Sequence, residues 1–168
     1  IEMVVPFYER YLSNIRMSLG KGEKHRIMIS GSVVSDQDIL GRIEALGGNI
    51  VADDTCLGYR LVRERIPTGE DPLSALVRYY LNLSPCSSRA DFPGRKDYIL
   101  KTISYFDVNA VIFMHQKFCE PHLGDHPFLK NVLTEKRIPQ IQLELEAEGL
   151  SGQMQTRLEG FIEMLGAR

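Results

Sequence analysis

Six of the eight residues from His115 to His122 are bases, nucleophiles or metal ligands: His115, Gln116, Lys117, Cys119, Glu120 and His122. They follow an apolar run, Ala110 to Met114, that reads as a buried strand. Three chemistries use such residue types. Cys119, His122 and His126 stand as C-x2-H-x3-H, a spacing at which a thiolate and two imidazoles can converge tetrahedrally on zinc. Cys119 with His115 or His122 would pair a thiol nucleophile with a general base. An iron–sulfur cluster needs three or four thiolates, whereas Cys56, Cys86 and Cys119 lie 30 and 33 residues apart without a ferredoxin spacing. A cluster would therefore draw on dispersed ligands, some of them outside this chain. The plain alternative for each cysteine is a small buried hydrophobe. An odd number without a CxxC pair argues against a disulfide scaffold or a zinc ribbon, and reduced intracellular thiols are expected.

The elements that must position these groups alternate strand with helix. Short apolar segments over 26–30, 49–53, 111–114 and 138–143 predict four strands. Helical spacing predicts a lead-in helix over 2–19, closed by Gly20-Lys21-Gly22, and a helix from an Asp36 N-cap to Gly47-Gly48. Further helices are predicted from Asp71-Pro72 to Leu81, over 98–105, over 127–135 and over 150–165. Leu73, Leu76, Val77, Tyr80 and Leu81 would give the Asp71-Pro72 helix its apolar face. Residues 84–95 read as a loop, and Gly124 to Pro127 as a turn in which His126 is solvated.

Such alternation implies right-handed crossovers and a small doubly wound, Rossmann- or flavodoxin-like α/β fold, with a mainly parallel four-stranded sheet covered on both faces. The expected strand order is 2-1-3-4, with residues 1–22 a lead-in helix and turn and 23–168 a single domain. Ligands of such sheets sit beyond the carboxyl ends of the strands. Every reactive cluster falls there: Ser30-Gly31-Ser32, Asp53-Asp54-Thr55-Cys56, His115 to His122, and Glu144 to Glu148. The Ser30-Gly31-Ser32 amides can take an anion or simply turn a strand into a helix. Ser30, Ser32, Asp54, Arg60, Cys119 and His122 are expected to share one cleft. Arg60 and Arg89 are single cations near that edge, able to meet a ligand phosphate, though a solvated surface arginine is the plainer reading of each.

With 168 residues, 43% of them hydrophobic, and a net charge of −2, the composition is that of an ordinary globular domain. There is no basic stripe for nucleic acid and no apolar run long enough to span a bilayer. Neither GxGxxG nor GxxxxGK[ST] occurs, so neither NAD nor ATP is indicated. The chain begins at Ile1 rather than Met, and a further domain is expected upstream.

The strings ALGGNIVADDTCLGYR (45–60), LNLSPCSSR (81–89), NAVIF (109–113) with QKFCEPH (116–122), and QTRLEGFIEML (155–165) together resemble the 2-hydroxyacyl-CoA dehydratase and benzoyl-CoA reductase family. The resemblance runs in order over 24–168. It implies the C-terminal half of a subunit in which two similar α/β domains face each other across a [4Fe–4S] cluster held by three cysteines. Cys119, in the KFC element, matches the ligand such a domain contributes. Cys56 and Cys86 match recurrent family cysteines, and a cluster held by all three local cysteines is the dissenting option. The resemblance further implies single-electron delivery to an acyl-CoA thioester, giving a ketyl radical anion. Dehydration of a 2-hydroxyacyl group or reduction of an aromatic ring would follow. It also implies a cytoplasmic hetero-oligomer with a paralogous second subunit, fed by an ATP-dependent iron–sulfur activator or an electron-donating subunit. The rivals are a cluster-free structural subunit and a Cys/His zinc or thiol hydrolase.

Overall fold

The computed structural model describes residues 25–34, 37–62, 65–83, 86–89, 91–146 and 149–167. The expected lead-in helix and the Asp36 cap lie outside these residues. Four strands, β1 (His25–Gly31), β2 (Gly48–Asp54), β3 (Ala110–Gln116) and β4 (Gln140–Leu145), pair in parallel in the order β2-β1-β3-β4. Five helices are described: α1 (Gln37–Ala45), α2 (Pro72–Asn82), α3 (Phe92–Tyr105), α4 (Glu120–Glu135) and α5 (Gly152–Gly166). The chain leaves β1 toward β2 on one side and returns to β3 on the other. The β1/β3 boundary is therefore the topological switch point.

Side chains alternate across each strand, so the two central strands supply two cores. Ile27, Ile29, Ile112 and Met114 pack with Ile39 and Ile43 of α1 and with Leu158, Phe161, Ile162 and Leu165 of α5. Met28, Val111 and Phe113 face the other way, under Tyr98, Ile99 and Ile103 of α3 and Leu129 and Leu133 of α4. Near-continuous apolar runs are what a sheet covered on both faces requires. The doubly wound reading and the strand order hold.

Four local expectations do not. First, α3 begins at Phe92, because Asp91 caps it by accepting from the Gly94 amide at 3.0 Å and Pro93 fits the first turn. Second, α4 begins at Glu120, with Pro121 in its first turn and Pro127 inside it. Gly124 to Pro127 are therefore helical, and His126 is buried rather than solvated. Third, Gly48 opens β2 instead of closing α1, and β4 starts at Gln140 rather than at Ile138. Fourth, α2 buries only Ala75 and Tyr79, while Leu73, Leu76, Val77, Tyr80 and Leu81 are exposed. Its apolar stripe is real, but it does not face this core.

Gly31 ends β1 at φ +148°, and a Cβ built there would collide with the Met114 carbonyl oxygen of β3. Only glycine allows the two strands to close at the switch point. Gly31→Ala is expected to cost about 2–5 kcal/mol from backbone strain and overpacking together. Gly41→Ala, on α1 with nothing within 4 Å of the new Cβ, should stabilise by about 0.5–1 kcal/mol. Chemical denaturation of the two variants beside the parent measures both, and equal effects would contradict the close-approach argument.

Candidate functional site at the carboxyl edge of the sheet

Two consecutive carboxylates end β2 and point to opposite faces. Asp53 accepts from the Thr55 amide at 2.6 Å and the Tyr59 amide at 3.3 Å. It pulls residues 55–59 into a tight loop against which Gly58 fits closely, since a Cβ there would overlap the Asp53 carboxylate. That loop presents Cys56 and leads into the 3-10 turn Tyr59–Leu61, which carries Arg60. Asp54 points inward and is fully buried.

Arg95, 1% exposed on the first turns of α3, grips Asp54 with both ends of its guanidinium: Nη1 donates to Oδ1 at 2.9 Å and Nη2 to Oδ2 at 2.5 Å. Its Nε donates to Asp125 of α4 at 2.9 Å. Ser30 Oγ donates to Asp54 Oδ2 at 2.7 Å. Burial works against the charge on Arg95, but Asp54 and Asp125 hold its pKa above the ordinary arginine value. Arg60, 4% exposed, stands 3.9 Å from Asp54. Burial overturns the plainer expectation of a solvated surface arginine for Arg60, whereas Arg89 is indeed exposed.

Three imidazoles cluster beside this network. His115, at the end of β3, stacks on His122 with centroids 5.6 Å apart and meets His126 edge-on at 5.6 Å. Gln142 Nε2 stands 3.3 Å from His115 Nδ1, and Gln140 Oε1 3.4 Å from His126 Nε2. His122 lies between Ser87 Oγ, 2.9 Å from Nδ1, and Cys56 Sγ, 3.5 Å from Nε2. Sequence spacing pairs His122 with Cys119; the thiol found beside it is Cys56. Burial pushes His115 down to about 3 and His122 to about 4, helped by the neighbouring histidine rings at His115 and by Arg95 and Arg60 at His122. Burial lowers His126 as well. All three are neutral at physiological pH, so none offers an imidazolium to stabilise a thiolate.

The thiols stand half-buried around this core. Burial raises Cys56; Arg60 opposes the shift, while the negative charges that Cys86 and Cys119 would carry reinforce it. Burial also works against ionisation of Cys86, but hydrogen bonds from Ser88 and the field of Arg60 and Arg95 bring it below the ordinary thiol value. Cys119 caps α4 without a side-chain capping bond, and Phe118 before it holds φ +66°, in the left-handed region bulky residues rarely occupy. Among the described residues no three His, Cys, Asp or Glu side chains converge to hold one metal ion. That includes Cys119, His122 and His126. Three half-buried thiols on one edge of the sheet have the chemistry of part of a thiolate-ligated cluster, without converging by themselves.

Ser32 serves the switch point. Its amide donates to Met114 O at 3.0 Å, and its Oγ accepts from the Gln116 amide at 2.6 Å, so this turn stitches strands rather than offering that amide to an anion. Glu144 and Glu146 are exposed, and Glu146 pairs with Lys117 at 3.3 Å, apart from the network. Sequence reasoning missed Arg95, Asp125 and Ser87. For Arg95 the available signal was the Asp91-Phe-Pro93 helix start, which would have placed it one turn inside a helix at the carboxyl edge.

A doubly wound sheet with its reactive groups at the β1/β3 switch point defines the class of protein. The 2-hydroxyglutaryl-CoA dehydratase, D-component, family model matches residues 2–165, and the chain belongs to that family. A benzoyl-CoA reductase subunit of Thauera aromatica is 29% identical over 147 residues, covering 84% of this chain and 37% of the relative. The (R)-phenyllactyl-CoA dehydratase beta subunit of Clostridium sporogenes is 28% identical over 146 residues, covering 85% and 38%. The beta subunit of lactoyl-CoA dehydratase from Anaerotignum propionicum is 26% identical over 143 residues, covering 83% and 38%. The chain therefore spans less than two-fifths of the length of these relatives.

Removing Arg95 would strand two buried carboxylates. Arg95→Met is expected to destabilise by about 3–5 kcal/mol, measured by chemical denaturation; a loss below about 1 kcal/mol would show that the network is dispensable. The histidines give a pH dependence of definite sign. Their folded pKa values lie below the unfolded 6.5, so the unfolded chain binds more protons and stability falls as pH falls. The loss begins near pH 6.5 and continues as pH falls through about 4 for His122 and about 3 for His115. Each contributes up to about 1.4 kcal/mol per pH unit within its window. Thermal midpoints from pH 7 to pH 5 should fall, less so in His122→Gln, and an unchanged slope in that variant would refute the assignment.

Proposed function

We propose that this chain is one domain of an iron–sulfur subunit acting on a CoA thioester, by 2-hydroxyacyl-CoA dehydration or by aromatic ring reduction of the benzoyl-CoA type. The observation that carries the reading is the set of three half-buried thiols, Cys56, Cys86 and Cys119, at the carboxyl edge of the sheet. Membership of the dehydratase family supports it. Cys119 would hold iron, with Cys56 and Cys86 beside it and further thiolates from an upstream domain. A bound [4Fe–4S] cluster would supply single electrons at low potential, making a ketyl radical anion of the thioester carbonyl. A cytoplasmic hetero-oligomer with a paralogous subunit, and an ATP-dependent activator or electron-donating subunit, completes the proposal. The isolated domain is inactive on this reading.

The chain's own contribution is electrostatic and steric. Arg60 sets a positive potential at Cys56 and, with Arg95, at Cys86, which works toward thiolate against the cost of burial. The neutral imidazoles and the cores beneath them keep water from one side of the site. A low-potential centre needs such controlled burial. The second reading is thiol chemistry at Cys56, favoured by the Cys56–His122–Ser87 hydrogen-bonded chain. Against it, an imidazole pushed down to about 4 is a weak base for a thiol that burial raises.

Serine offers iron a harder and far more basic oxygen than cysteine does. In the intact subunit, reconstituted with iron and sulfide without oxygen, Cys119→Ser should lose most of its iron. Stability should change by no more than about 1 kcal/mol, the worth of one small half-buried group. Cys86→Ser should lose less iron. Iron content and thermal midpoint on the same samples decide it. Full iron retention by Cys119→Ser would end the ligand reading, and no iron in the parent would favour a structural subunit.

A further inference from the structure

Arg60 is a buried cation one acceptor short. Its Nη1 finds no hydrogen-bond partner among the described residues, and the carboxylate it faces, Asp54, stands 3.9 Å away. Both Asp54 oxygens are already taken by Arg95, and one of them also by Ser30. A buried N–H that has lost hydration without regaining an acceptor is destabilising, and native proteins resolve such a deficit with an anion or water. The surroundings suit the anion. Arg60 and Arg89 line a cavity of about 270 Å3 with the thiols of Cys56 and Cys86, and Leu61 and Leu83 form an apolar wall. Among the described residues no carboxylate lines it.

Arg89 anchors one Nη to the Leu83 carbonyl at 3.1 Å, which holds it at the rim while leaving other N–H groups to donate.

We propose that this cavity binds an oxyanion, a carboxylate or a phosphate on a small molecule, between Arg60 and Arg89, with the ligand's apolar part against Leu61 and Leu83. Guanidinium groups suit either oxyanion because their fork geometry matches paired oxygens. The cavity falls below the range of about 300–1,000 Å3 typical of drug-sized ligands, so the ligand, or the part of it held here, is small. The proposal takes its location from the carboxyl-edge site above and does not depend on iron.

The test uses the intact subunit in iron-free and iron-reconstituted forms. Inorganic phosphate and glutarate are each titrated against chloride at matched ionic strength. Thermal midpoint and the alkylation rate of Cys56 and Cys86 in the iron-free form are followed. At least one of the two anions should raise the midpoint and slow alkylation severalfold, with half-saturation on the order of 1 mM or tighter. Phosphate alone would identify a phosphate-bearing ligand, and glutarate alone an organic acid. Arg89→Met, at an exposed position, should weaken binding about two- to fivefold while the ligand-free midpoint stays put. Arg60→Met should weaken it more than about tenfold. Neither anion acting beyond chloride, or wild-type affinity in the Arg89→Met protein, would overturn the proposal. Iron loss in Cys119→Ser leaves this result untouched, so the two readings fail separately.

Discussion

The contact on which the site depends is the grip of Arg95 on Asp54 and Asp125. It joins the end of β2, the start of α3 and the second turn of α4, and through Ser30 it reaches the end of β1. Stability alone does not account for such a cluster. Apolar replacement of a whole buried ionic group is often neutral or stabilising by about 1–4 kcal/mol, because desolvation consumes most of the Coulomb gain. Geometry accounts for it better. A carboxylate buried without Arg95 is far more costly than the paired one, so these elements meet in one arrangement or at a steep penalty.

That arrangement sets the electrostatics of everything around it. Arg95 meets two carboxylates, but Arg60 is the second cation on Asp54, at a distance too long for a hydrogen bond. Two guanidiniums and two carboxylates balance in formal charge, so what acts on the neighbours is the place of Arg60, whose positive field falls on the thiol side of the network. It helps hold His122 neutral, counteracts the burial of Cys56 and lowers Cys86. The position of Arg60 thus separates the roles of two residue types that sequence alone treats alike. The imidazoles become uncharged packing, with His115 and His122 stacked at 5.6 Å, and Cys56 and Cys86 are the groups whose ionisation the field assists against the cost of burial.

The central strands were legible because each is a short, near-continuous apolar run bounded by turn residues. Ile27 and Ile29 against Met28, and Ile112 and Met114 against Phe113, predict a sheet covered on both sides. The parallel order follows from the same crossover logic. The two misplaced helix starts share a cause. Asp91-Phe-Pro93 and Cys119-Glu-Pro121 are helix starts with proline in the first turn, but the polar and small residues after them mask the helical period. At α4 the buried face uses His122, Asp125 and His126 as well as Leu129, and a pattern that counts only apolar residues begins too late. The helices were thus misread where their inner faces turn polar to build the site. Asp54 and Arg60 were found by position, Arg95 was not, because a long-range ion pair leaves no local spacing to detect.

The apolar stripe of α2 is legible as a pattern and misleading as a core face. Its exposed leucines lie on the helix that carries Tyr79, whose hydroxyl donates to the Leu61 carbonyl beside Arg60. The helix is therefore tied to the site by one buried tyrosine while most of its apolar surface faces outward. A similar division runs through the whole carboxyl edge. The charged network and the imidazoles are closed off by this chain's own packing. The three thiols are left half-buried with no three metal-ligating side chains converging among the described residues. A half-buried thiol gains neither full packing nor full hydration, and at three positions on one edge that is an arrangement suited to completion by ligands from elsewhere. Under the proposed function, the rigid ionic core would hold the thiol rim in register for a second set of donors.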